Sequence, residues 1–298
     1  MELRREHHAV GRRMNDVVAT TMRRVSAVAT LPAIALRVMR IAEDPAATSD
    51  AMFQVLASDP ALSTRVLKVV NSAYYGRPRQ VASTLAAIQL LGVGAIRNIA
   101  VAASLTRMFK GGRAVPGFDA SALWIHSVAV GAAARRLADV TRKVAPDEAL
   151  LAGLLHDIGV LIGLQAWLPE FTAVISATND DTTLSFSDAE AQIIGATHEA
   201  FGAALCAQWQ FPAALMNVCG HHHHPMALPA SEQLLPALVH VADVLAARSK
   251  VGYSRTVAPT GIEPGVLELL GIIEADLEAI VLALPEDASQ AMALFAGS

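Results

Sequence analysis

Histidine and aspartate are the residues whose types and spacing can do chemistry in this chain. Seven of the ten histidines fall between positions 126 and 224: His126, His156, His198 and the run His221 to His224. His156-Asp157 stands inside Leu151-Ala-Gly-Leu-Leu-His-Asp-Ile-Gly-Val-Leu161, apolar on both sides, so both polar side chains should be buried. A buried carboxylate needs a cation or several donors, yet residues 144–247 contain no Lys or Arg. Asp243, in Val239-His-Val-Ala-Asp-Val-Leu245, has the same difficulty. Histidine or a metal ion is what remains to satisfy them. Imidazole and carboxylate without thiolate suit Zn, Fe, Mn or Ni, and mixed His/Asp sites with bridging carboxylates are typical of two-metal hydrolytic centres, where water becomes a nucleophile at neutral pH. One or two such ions are therefore the expected cofactor. A single histidine on an apolar helix face is more often a satisfied core residue, a reading that suits His240 better than His126.

The elements that must carry these residues are helical. Apolar positions recur at three and four residues, and few segments alternate as a strand would. The chain has 298 residues, 53% of them hydrophobic and only 5% aromatic, which excludes a disordered chain and fits closely packed helices in an all-α fold. Asp59 before Pro60 reads as a helix N-cap, Ser83 caps another helix, and Gly92 stands where that helix needs a left-handed residue. Asp147 and Glu148 lie in a first turn, and Asp188 and Glu190 are read as first-turn acids ahead of His198. Residues 149–168 are the most membrane-like stretch, but His156-Asp157 at their centre makes them a buried helix pair, expected to break near Gly159 to Gly163.

The net charge of −4 hides a segregation. Residues 1–143 carry 20 Lys and Arg against nine Asp and Glu, whereas residues 144–247 carry eleven acids and no Lys or Arg. Lys110-Gly-Gly-Arg-Ala-Val-Pro-Gly117 reads as a linker between a basic unit and a His-rich one. The expected division is a basic helical segment at 1–24, an N-terminal helical bundle at 25–117, and a second helical bundle at 118–298. Six arginines between Arg4 and Arg24 have no interleaved aromatics, so they read as an exposed helix face rather than a nucleic-acid contact. Cys206 and Cys219 cannot make a disulfide framework and read as core thiols, with a closer approach of Cys219 to the metal left open. A soluble protein of a reducing cytoplasm is expected, because no apolar leader follows the basic start.

Several blocks resemble the HDOD family, the HD-related output domain of bacterial signalling proteins and a relative of the HD and HD-GYP metal phosphohydrolases. They are Leu31-Pro-Ala, Ala57-Ser-Asp-Pro-Ala-Leu-Ser-Thr-Arg-Val-Leu-Lys-Val-Val-Asn-Ser-Ala-Tyr-Tyr-Gly76, and Ala86-Ala-Ile-Gln-Leu-Leu-Gly-Val-Gly94. His126, the Leu-Leu-His-Asp-Ile-Gly block, His198-Glu-Ala-Phe-Gly202, Trp209-Gln-Phe-Pro212 and the histidine run continue the match. The resemblance implies an N-terminal helical bundle packed on an HD-like bundle. It also implies a regulatory role through contacts with other signalling proteins, usually without turnover. It places metal-ligand positions on His126, His156, Asp157, His198, His222, His223 and Asp243, with His221 and His224 flanking the pair.

Two departures bear on activity. Val160 stands where the phosphohydrolase pattern has Lys, and no Gly-Tyr-Pro loop follows the histidines. An anionic substrate would then rely on metal charge, or on Lys68, Arg77 or Arg79 of the N-terminal unit folding over the site. The expected function is a metal-binding signalling module; the alternative is a two-metal phosphohydrolase acting on a cyclic dinucleotide or nucleotide. Neither a membrane nor a nucleic acid is an expected partner, while self-association is compatible with both readings.

Overall fold

Apolar residues at helical spacing wind most of the chain into helix. The computed structural model describes residues 2–25, 32–44, 46–72, 80–109, 114–257 and 261–295, with side chains from residue 14 onward except that of Arg107. Among them no strand occurs; one isolated bridge pairs Val115 with Phe118. The all-α expectation holds. The Asn71 to Gly76 block falls largely outside the described residues, but the Asn71 side chain accepts from the Val81 amide at 2.6 Å and donates to its carbonyl at 2.9 Å. That clasp gives Asn71 a structural role.

Helix α1 (Glu2–Val25) precedes a first group made of α2 (Ala33–Glu43), α3 (Ser49–Ala57), α4 (Pro60–Val70) and α5 (Thr84–Leu105). Asp59 accepts from the Leu62 amide at 2.9 Å and Ser83 from the Ala86 amide at 3.1 Å, as N-caps do. Gly92 has φ +82° and ψ 162°, a conformation that interrupts α5 instead of ending it.

The second group comprises α6 (Ala120–Thr141), α7 (Pro146–Leu155), α8 (Ile158–Ala166), α9 (Leu168–Asp180), α10 (Phe186–Ile193), α11 (His198–Gln208), α12 (Ala213–His221), α13 (Leu234–Arg248), α14 (Val266–Leu270) and α15 (Glu274–Phe295). Helix α5 packs on α7, and α4 on α15, joining the groups. The basic helix α1 lies on α8 and α11 rather than on the N-terminal group. The Arg24 guanidinium stacks 4.0 Å above the Trp167 ring, whose Nε1 donates to the Thr21 hydroxyl at 2.7 Å.

The apolar stretch 146–166 is long enough to cross a membrane, but 89% of its most apolar 18-residue window is buried inside the protein. Its break is not at Gly159 to Gly163. It falls at His156-Asp157, where Asp157 takes φ −97° and ψ 13° between α7 and α8. The glycines are there for close packing. A Cβ on Gly153 would stand 2.6 Å from the Gly131 Cα, and one on Gly159 would lie 1.9 Å from the His198 carbonyl oxygen. Helices α6 and α7, and likewise α8 and α11, therefore meet backbone to backbone beside the histidines.

Candidate metal centre

Four helices and the α7–α8 turn converge on one buried point. His126 comes from the middle of α6, His156 and Asp157 from the turn, His198 from the first residue of α11, His222 and His223 from the end of α12, and Asp243 from α13. Thr197 caps α11 by accepting from the Ala200 amide, which fixes the helix start at His198. All seven expected ligands come together, and the most exposed, His223, retains only 4% of its surface.

Asp157 sits at the centre. Its Oδ2 lies 3.4 Å from His156 Nε2, and its Oδ1 lies 3.5 Å from both His198 Nε2 and His222 Nε2. Asp243 Oδ1 stands 2.9 Å from His126 Nε2 and 3.7 Å from His156 Nε2. The 2.9 Å contact has the distance of an ion pair without hydrogen-bond geometry, since both atoms remain unbonded. His198 and His223 bring their Nε2 atoms to 3.1 Å.

The other ring nitrogens explain this arrangement. His156 Nδ1 faces the Gly153 carbonyl at 2.7 Å, and His222 Nδ1 faces the Val218 carbonyl at 3.1 Å. A carbonyl can only accept, so each Nδ1 carries the proton and each Nε2 of a neutral ring presents a lone pair to the centre. His156 Nε2, His222 Nε2, His126 Nε2, both Asp157 oxygens and Asp243 Oδ1 are buried without a hydrogen-bond partner. Buried acceptors turned toward one another require a cation between them.

A divalent transition metal fits this donor set. His198, His222 and His223 form one group, and His126, His156 and Asp157 another, the ligand atoms within each lying within 4.8 Å of one another. When bound, such an ion would act as a Lewis acid and lower the pKa of water. In the metal-free protein, protons do the same electrostatic work. Burial by itself lowers the His156 pKa, but Asp157 and Asp243 outweigh it and hold the imidazole well above its usual value. Burial is likewise outweighed at His198, which Glu190 and Asp157 raise to about 9. Asp157 and Asp243 are held below the usual carboxylate range by their histidines, despite burial. His223 is pushed well below, by burial and then by His222 and His198.

Glu190 was expected to be a first-turn acid, and it is not one. It is fully buried, its Oε2 accepting from His198 Nδ1 at 2.7 Å and from the His198 amide at 2.8 Å. The carboxylate reaches back across eight residues because the short loop after α10 folds onto α11. Its placement among Ala189, Ala191 and Ile193 was the available signal. Glu199 accepts from the His223 amide at 3.3 Å. His240 is the satisfied core residue expected, its Nδ1 bonded to the His222 carbonyl and its Nε2 accepting from the Glu263 amide. His224 is exposed and His221 half-buried, outside the converging set. Val160 is wholly buried in α8, and Lys68 is exposed on α4, while Arg77 and Arg79 lie outside the described residues.

The HDOD domain family's sequence profile matches residues 28–225, about two-thirds of the chain. The chain belongs to the HDOD domain family. A solved HDOD domain protein of unknown function from Geobacter sulfurreducens shares the fold, with a TM-score of 0.70, 24% identity, and coverage of 92% of this chain and 98% of that one. A protein from Marinobacter aquaeolei VT8, named for signal transduction, aligns with a TM-score of 0.74 and 22% identity, over 97% of this chain and 66% of that one. A curated protein of Treponema pallidum (strain Nichols) is 25% identical over 232 residues; this chain aligns over 76% of its own length and spans only 43% of that relative. The HDOD fold is thus present with a His/Asp group capable of holding a metal at its core.

Proposed function

We propose that this HDOD chain is a cytoplasmic signal-transduction module. In this reading it binds one or two divalent transition metal ions through His126, His156, Asp157, His198, His222, His223 and Asp243, and it acts by contacting other signalling proteins, without turnover. The observation that carries it is the combination of unpartnered buried acceptors with ligands at most 4% exposed. Such a centre holds a cation well and offers little surface to a substrate. Val160 in place of a Lys removes one means of neutralising phosphate charge. The likeness to a protein named for signal transduction supports the same reading.

Asp157 favours a second reading. It touches ligands of both groups, as a carboxylate bridging two ions does, which is the arrangement of a two-metal phosphohydrolase. Elemental analysis of protein purified without chelator, joined to a turnover assay on cyclic dinucleotides and nucleotides, separates the two. Bound metal without hydrolysis is expected. Hydrolysis abolished by Asp157→Ala overturns the non-catalytic reading, and failure to take up any transition metal overturns the metal centre.

A further inference from the structure

Cys206 and Cys219 are both fully buried, with their sulfurs 3.4 Å apart. Cys219 lies on α12, three and four residues before His222 and His223 and thus on their side of the helix. Cys206 lies two turns after His198 on α11. Between them α11 carries Gly202, where a Cβ would stand 3.2 Å from the Cys219 Cβ. The Cys219 thiol also donates to the Leu155 carbonyl at 3.4 Å, immediately before the His156-Asp157 turn. One sulfur pair therefore adjoins all three elements that present His156, Asp157, His198, His222 and His223.

We propose that Cys206 and Cys219 form an oxidation site, a dithiol that a hydroperoxide converts to a disulfide, and that closing this bond loosens the metal held next to it. The second half rests on the metal-binding reading above; the first does not. One sulfur attacks a peroxide oxygen, the O–O bond breaks, and the leaving oxygen departs as an alcohol, or as water when the oxidant is hydrogen peroxide. The sulfenic acid so formed is attacked by the second sulfur and loses its hydroxyl as water. Two thiols and one hydroperoxide thus give one disulfide, one alcohol and one water, the thiols losing two electrons. The sulfurs must close from 3.4 Å to about 2.05 Å. That closure takes the Cys219 hydrogen away from the Leu155 carbonyl and draws α11 and α12 together, one turn from His222 and two turns from His198. Both thiols are buried, so the reaction follows local opening of α11 against α12 and is slower than that of an exposed thiol. In a reducing compartment a cross-link of this kind is a transient signal rather than a staple.

The test treats the full metal-loaded chain with hydrogen peroxide. Intact mass, peptide mapping and metal release to a chromogenic chelator are then followed. A loss of about 2 Da, a linked Cys206–Cys219 peptide and roughly tenfold faster metal release are expected, with Cys206→Ser and Cys219→Ala each abolishing the mass loss. No mass change, or oxygen addition without a linked peptide, overturns the oxidation site, and this readout needs no variant to fold. A disulfide with unchanged metal release overturns the coupling. If the chain binds no metal in either state, the metal-binding reading fails, while the mass result still decides the cross-link.

Discussion

Glu190 Oε2 stands 2.7 Å from Nδ1 of His198 and 2.8 Å from the same residue's amide, so one buried carboxylate fixes both the ring and the start of α11. The ring is held with Nε2 toward Asp157 at 3.5 Å. Carboxylates that hold a ligand histidine in this way typically contribute 10- to 100-fold to metal affinity. Glu190→Gln should therefore weaken metal binding by about that factor, measured by competition with a chromogenic chelator, while the far-ultraviolet dichroism stays helical. An affinity within twofold of the parent chain would show that Glu190 only fills space.

Asp157 faces three imidazoles. Removing it takes away a counter-charge that His156 and His198 share, leaving His156 with Asp243 and His198 with Glu190, and losing one partner of a buried pair costs about 3–5 kcal/mol. Asp157→Ala should lower the urea midpoint of the metal-free protein and abolish metal uptake. Equal stability of variant and parent would mean that the histidines are neutral without metal.

Much of this centre is legible in the sequence because burying a charge is so costly. His156-Asp157 and Asp243 inside apolar runs, with no Lys or Arg within residues 144–247, demand one another or a metal, and the structure brings them together. Glu190 escapes the same logic because its partner is eight residues away, across a turn that no local pattern specifies. Gly159 misleads for a different reason: glycine reads as a breaker, yet here it admits the His198 carbonyl, a tertiary contact invisible to periodicity. The α7–α8 break falls instead on Asp157, whose side chain gains the centre by leaving the helix.

The protons held by the metal-free protein set a pH dependence. His156 and His198 have folded pKa values raised above the unfolded value, so their contribution is complete below about pH 6.5 and is lost as pH rises through the folded values, about 9 for His198. His223 and His240, both lowered, act in the opposite sense, but only below about pH 6.5, where the unfolded imidazole takes up its proton. Asp157 and Asp243, lowered, contribute above about pH 4 and lose that contribution only as pH falls through their folded values. Between pH 6.5 and 9 the metal-free protein should lose on the order of 1 kcal/mol per pH unit for each excess proton. Metal displaces these protons. The gap in Tm between metal-loaded and chelator-treated protein should therefore widen from about pH 6 to 9, and a constant gap would contradict proton displacement.

The closest helix contact gives the most discriminating substitution. A Cβ at position 159 meets the His198 carbonyl oxygen at 1.9 Å and the Gly202 amide nitrogen at 2.6 Å, both backbone atoms that no rotamer can move. Gly159→Ala must push α11 away from α8, and with it His198 from Asp157. Overpacking of this kind costs about 1–3 kcal/mol or more, and metal uptake should fall with it. Gly163→Ala, one turn along the same helix, provides the control. Its Cβ meets Phe171 at 3.6 Å, an ordinary contact, and alanine is favoured over glycine inside a helix by about 0.5–1 kcal/mol. Urea denaturation should find Gly163→Ala at least as stable as the parent with its metal retained. If Gly159→Ala also keeps full stability and metal content, the spacing of α8 and α11 does not control the centre.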